Sequence, residues 1–210
     1  MNINLKELEK QFHSDGYNMG MTAVESGFTK DSLLTAVKNL NQMVDELVVY
    51  FSGFAARQSR MPACRKGCSW CCYQPVFAMD YELEYLQVFI SENFDEEIQK
   101  RIVNRAKEKK QKLEGLTGSA LFNSKISCPL LENGVCMVYP ARPVACRIYL
   151  SSNLESCIKF YNEPDDEQSV PALLHFPMRM GRMLNEGFKA ALKTSRGKVE
   201  ECRVEEKLAG

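Results

Sequence analysis

Apolar residues recur through residues 31–56 at alternating steps of four and three: Leu33, Val37, Leu40, Val44, Leu47, Phe51 and Phe54. That period puts all seven on one helical stripe and predicts a helix with one face against a core. Asp31 is the expected N-cap, since its carboxylate can accept a free first-turn N–H, and Gly53 weakens the last turn. A second stripe, Met180, Met183, Leu184, Phe188, Ala191 and Leu192, predicts a helix over about 177–194 with Pro177 in its first turn. A third helix is expected from Asp80 as cap to about residue 92. A fourth starts at Asn93, whose spacing to Glu96 is that of a capping box, and turns Ile98, Ile102, Val103 and Ala106 inward. Residues 4–14 suit a short amphipathic helix and residues 150–161 another. Residues 15–28 and 114–127 read as loops, and the segment VEECRVEE as a short edge strand.

Between these helices the pattern breaks down, and cysteine replaces it. Met61 to Cys72, MPACRKGCSWCC, holds Cys64, Cys68, Cys71 and Cys72. A second stretch carries Cys128, Cys136 and Cys146, and Cys157 follows. Asn133–Gly134 predicts a tight turn, because both residues tolerate positive φ, and that turn folds Cys128 back towards Cys136. Pro140 and Pro143 limit Tyr139 to Cys146 to an irregular segment or one helical turn. The fold class is therefore mainly α: a helical domain with irregular cysteine-rich loops forming a metal site. Its expected parts are an N-terminal helical extension (1–59), a cysteine-cluster metal-binding core (60–160), and a C-terminal helix and tail packed on the core (161–210).

Composition narrows the function. The 210 residues carry 27 basic and 27 acidic side chains, so no net charge draws the chain to nucleic acid or acidic lipid. The basic residues of the fourth helix, from Lys100 to Lys112, alternate with Glu96, Glu97 and Glu108 and read as a solvated face, giving no specific nucleic-acid signal. The N-terminus lacks an apolar signal region and no apolar run is long enough to cross a bilayer, so a cytoplasmic protein is expected. There, nine cysteines are poor candidates for a disulfide framework, because thiols are kept reduced and the count is odd.

Clustered reduced thiols point to metal. One short segment can donate several thiolates to one centre, and an all-sulfur set suits zinc or iron over calcium or magnesium. The candidate ligands are Cys64, Cys68, Cys71, Cys72, Cys128, Cys136, Cys146 and Cys157. Eight could fill two Cys₄ zinc sites, or four could hold a 4Fe-4S cluster supported by the others. Neighbouring side chains point apart, so Cys71 and Cys72 both serve only on an irregular backbone or by facing different metals, or else one of them is a supporting or reactive thiol outside the ligand set. His13 reads as a surface residue, His175 as a hydrogen-bonded core residue, and Cys202 as a thiol outside the site. Arg142 and Arg147 are expected to balance the site's negative charge, and Trp70 could shield it from water.

The pattern Cx₃Cx₂CC followed by CPxLxxxGxCxVYxxRPxxCRxY resembles the YkgJ-type cysteine-cluster family. The residues that carry this are Cys64, Cys68, Cys71 and Cys72, then Cys128, Pro129, Leu131, Gly134, Cys136, Val138, Tyr139, Arg142, Pro143, Cys146 and Arg147, with Cys157 in the eighth position. The resemblance implies zinc or iron chelation. Its similarity to the flagellin lysine N-methylase further implies S-adenosylmethionine-dependent methyl transfer, although no Gly-rich loop after a strand is present to carry it. Cys64-x₃-Cys68-x₂-Cys71 also has the radical-SAM spacing, but that reading needs an α/β barrel and no βα repeat follows. The competing readings are a structural or regulatory metal module, an iron–sulfur enzyme, and a thiol-based metal carrier or redox sensor. A protein partner could dock on the Leu33–Phe54 stripe.

Overall fold

A computed structural model describes residues 4–56 and 61–210. The fold is mainly α. Three long helices form one half: α1 (Leu5–Glu25), α2 (Lys30–Ala56) and α8 (His175–Arg196). Leu33, Val37, Leu40, Val44 and Leu47 of α2 are buried against Met180, Leu184, Phe188 and Leu192 of α8. Both stripes thus face one core, as their period requires. The stripe of α2 ends before its last expected member: Phe51 stacks on Phe176 with ring centroids 5.7 Å apart, but Phe54 is exposed.

Helix α1 is longer than expected and runs through residues 15–25. Gly16 and Gly20, which read as loop signals, instead let α1 lie directly on α8. A methyl at Gly16 would collide with the Leu184 carbonyl, and one at Gly187 with the His13 carbonyl. Thr29, not Asp31, caps α2 by accepting the Ser32 N–H at 3.1 Å.

The second half is built from α3 (Asp80–Asn93), α4 (Glu96–Lys112) and α9 (Val204–Ala209). Leu83, Leu86, Ile90, Ile102, Ala106, Val204 and Leu208 share its core with Leu130, Val138 and Ala141 of the second cysteine segment. Helix α3 is entered from Met79, whose N–H is accepted by Glu82 at 3.0 Å, so Asp80 is its first residue and not its cap. Asp95 caps α4 through the Ile98 N–H at 2.8 Å, and Asn93 closes α3 instead of opening α4. The basic face of α4 is not wholly solvated: Arg101 and Arg105 pair with Glu132, and Lys109 is only 3% exposed.

The residues expected as an edge strand form β4 (Glu201–Arg203), antiparallel to β1 (Phe77–Met79), before continuing into α9. A short helix, α5 (Gly118–Asn123), interrupts the expected 114–127 loop. Among the described residues the strands are two or three residues long and none leads into a barrel or a Gly-rich loop. Among them too, no helix is long and apolar enough to cross a membrane. The expected boundary at 59–60 lies outside the described residues.

Candidate metal centre

The first cysteine group enters as irregular chain. Gly67 adopts a φ of 91°, a conformation open to glycine, and Cys68 N–H closes a turn onto the Arg65 carbonyl at 2.9 Å. A 3₁₀ turn over Trp70–Tyr73 then carries the adjacent thiols. It repeats every three residues, so Cys71 and Cys72 leave the backbone about 120° apart. Cys64 is fixed elsewhere: the Ser151 carbonyl accepts the Ala63 N–H at 2.8 Å, and the Ser151 N–H donates to Cys64 Sγ at 3.2 Å. Ser151 leads into α7 (Leu154–Asn162), which bears Cys157 and packs on the 3₁₀ turn. Tyr161 of α7 takes Trp70 and Tyr73 edge-on, at 5.2 and 4.9 Å. Trp70 thus ties the 3₁₀ turn to α7.

The second group is joined to the first through backbone. Cys128 N–H donates to the Cys72 carbonyl at 2.7 Å. Strands β2 (Leu131–Glu132) and β3 (Val135–Cys136) then pair, with Leu131 opposite Cys136. Asn133 and Gly134 between them have φ of 50° and 75°, the tight turn that the sequence predicted. A 3₁₀ turn, Tyr139–Ala141, and the short helix α6 (Val144–Ile148) take the helical-turn alternative that the two prolines allowed, and present Cys146. Cys128 and Cys136 pack on the α3/α4/α9 core, while α6 packs on α2 and α8. The cysteines thus lie at the seam between the two halves.

The thiols divide by which neighbours they feel. Burial pushes Cys64 up, and Cys71, Cys68 and Cys157 add like-charge repulsion. Burial likewise pushes Cys146 well up, reinforced by Cys71, Cys128 and Cys136 and opposed by Arg142. Burial also takes Cys128 up to about 11. Cys71 and Cys72 share a hydrogen bond: it holds Cys71 down at about 7 and drives Cys72 up. The thiolates of Cys64, Cys128, Cys136 and Cys146 are costly without a cation, which is the condition in which metal binding drives deprotonation.

The two arginines of the second group differ in role. Arg142 lies over the Tyr139 ring at 4.0 Å and eases ionisation of Cys71, Cys136 and Cys146, as a charge-balancing cation should. Arg147 instead points away from the thiols. It is 2% exposed, pairs with Asp45 of α2, and donates to the Arg142 and Pro140 carbonyls at 2.8 and 2.6 Å. It is a clamp, and the expectation that it balances the centre is corrected.

The donor chemistry fits zinc or iron: eight partly buried, reduced sulfurs at one seam. Among the described residues, no three thiol, imidazole or carboxylate groups stand at the spacing of a single-ion ligand set. A family model described as "CxxCxxCC: Putative zinc- or iron-chelating domain" matches residues 63–168. The chain belongs to this CxxCxxCC family. All eight candidate cysteines fall inside the matched span, and in this chain the first spacing is three residues, Cys64 to Cys68. No curated protein and no solved structure matches the chain significantly.

As a CxxCxxCC protein it has a metal-chelating domain, with the remaining polar candidates outside it. His13 lies on α1, half-buried. His175 is exposed at the start of α8, contrary to its expected place in the core, because Pro177 turns the helix inward only after it. Cys202 sits on β4 opposite Ala78. A cavity of about 470 Å³ opens against the centre, with Cys71 and Cys146 in its wall beside Glu82, Val144, Met178 and Arg182. Nothing in the order of residues signals it, since its walls come from five separate segments.

Proposed function

We propose that the chain holds metal in two four-thiolate sets that meet at the Cys71–Cys72 pair. One set is Cys64, Cys68, Cys71 and Cys157. The other is Cys72, Cys128, Cys136 and Cys146. The observation that carries this reading is how the backbone groups the cysteines: Cys64 is tied through Ser151 to the helix that bears Cys157 and packs on the Cys71–Cys72 turn, while the Cys72 carbonyl accepts the Cys128 N–H and Cys128 and Cys136 pack on one core. Cys71 and Cys72, adjacent on one 3₁₀ turn with hydrogen-bonded thiols, each join one set and make the pair at which the sets meet.

Four thiolates per set suit tetrahedral zinc, and zinc bound this way contributes folding energy as well as charge. The protein is then a metal-binding module of a reducing compartment such as the cytoplasm. Metal and acid-labile sulfide content of anaerobically purified protein tests the reading, together with its visible spectrum. Two zinc per chain and a colourless solution support it. Iron with stoichiometric sulfide would replace it with the iron–sulfur reading, in which one set holds the cluster.

A second reading draws on Cys71. A thiol ionised near neutrality beside a solvent-connected cavity suits a metal carrier or thiol sensor, because the thiolate is the reactive form. Metal release on mild oxidation, recovered by a thiol reductant, would support it.

A further inference from the structure

Helix α4 is the most highly charged helix of the chain, yet its buried residues are Ile102, Ala106 and Lys109. Lys109 continues the inner stripe by a step of three, so helical geometry delivers an ammonium group where an apolar side chain would be ordinary. Its Nζ donates to the Gln74 carbonyl at 3.4 Å. Gln74 closes the 3₁₀ turn by donating to the Cys71 carbonyl at 3.3 Å, and the Cys72 carbonyl accepts Cys128 N–H. The ammonium group therefore stands at the joint between the two cysteine segments. An ammonium has three donors, and one long bond to a neutral carbonyl offsets little of its desolvation. Among the described residues no carboxylate lies within ion-pair distance of it. The nearby Glu205, 1% exposed, has its Oε1 3.3 Å from Arg203 Nε.

We propose that Lys109 is the resident countercation of the Cys72, Cys128, Cys136 and Cys146 set, held in place to meet the negative charge that appears when metal binds. This rests on the thiolate-metal reading above. A divalent ion with four thiolates carries two net negative charges. Lys109 and Arg142 would together supply two positive ones. Desolvated and unpaired before metal binds, Lys109 gains its partner only when the set is loaded.

The test is zinc affinity by competition with a chromophoric chelator, on protein whose zinc content is measured in the same preparations. Lys109→Met is expected to weaken zinc binding 10- to 100-fold, the usual effect of removing a partner of metal ligands. Lys109→Arg, which keeps the charge, should stay within a few-fold of wild type. Glu205→Gln, which removes an opposing charge, should bind zinc as tightly or more tightly. If Lys109→Met alone does not fold, the double variant Lys109→Met, Glu205→Gln is measured against Glu205→Gln, with the same loss expected. Unchanged affinity in the Met variant, with only the metal-free protein destabilised, would reduce Lys109 to a structural partner of Glu205 and overturn the proposal. Equal losses in the Met and Arg variants would also overturn it. Wild-type protein that takes up no zinc would sink the metal reading itself.

Discussion

Replacing Arg147 with alanine should unpin the second cysteine segment from α2. The guanidinium makes two bonds to carbonyls of the loop it follows, Pro140 and Arg142, and one ion pair to Asp45. Charge-assisted bonds of this kind contribute about 1.5–3 kcal/mol each. The Asp45 carboxylate is 48% exposed, so solvent screens that pair and its share falls to roughly 0–1 kcal/mol. Loss of the side chain should then cost about 3–5 kcal/mol, a large part of the stability of a domain this size. Asp45→Asn should cost no more than about 1 kcal/mol by the same argument. Lysine keeps the charge but not the planar fork, so Arg147→Lys should lose most of what alanine loses. Urea unfolding of the metal-free chain measures all three. A cost below about 1 kcal/mol for Arg147→Ala, or full rescue by lysine, would refute the clamp and restore Arg147 as a simple charge beside the thiols.

Three further outcomes follow from particular contacts. Gly187→Ala drives a methyl into the His13 carbonyl and should destabilise by about 1–3 kcal/mol, while an alanine at Gly53, where nothing lies within 4 Å, should not destabilise; thermal unfolding separates them. Burial pushes the Glu82 carboxyl up, so the folded state binds its proton more tightly than the unfolded state does. Its contribution is full below the ordinary carboxyl range and is lost as pH rises through the raised value. The wild-type-minus-Glu82→Gln stability difference should therefore fall with rising pH across that window, and a flat or rising difference would contradict it. In metal-free protein, iodoacetamide should label Cys71 first, with a rate midpoint near pH 7, set by its hydrogen bond from Cys72 with help from Arg142, and bound metal should block the reaction.

What the sequence made legible was periodic or local. The stripes of α2 and α8 repeat every 3.6 residues, and each buries most of the face its period names, α2 stopping short of Phe54. Asn133–Gly134 carries its turn in its own backbone preference. Misreadings came where a residue's role depends on a distant partner. Gly16 and Gly20 are ordinary loop signals until Leu184 and Ala191 of α8 are seen against them. Arg147 cannot be told from Arg142 without its burial and its bonds back to the Pro140 and Arg142 carbonyls. Lys109 could have been found, because Ile102, Ala106 and Lys109 share one stripe, but charge was read as exposure. The eight thiols were visible as candidates. Their division was not, since Cys64 meets its neighbours through Ser151 and α7.

The two-set arrangement is tested most directly by native mass spectrometry of zinc-loaded chain carrying one serine at a time. Wild type should bind two zinc ions. Cys68→Ser and Cys136→Ser should each bind one with undiminished affinity, their double variant none, and Cys202→Ser two. Loss of both ions from either single variant, or loss of an ion from Cys202→Ser, would contradict the division of the thiols into separate sets.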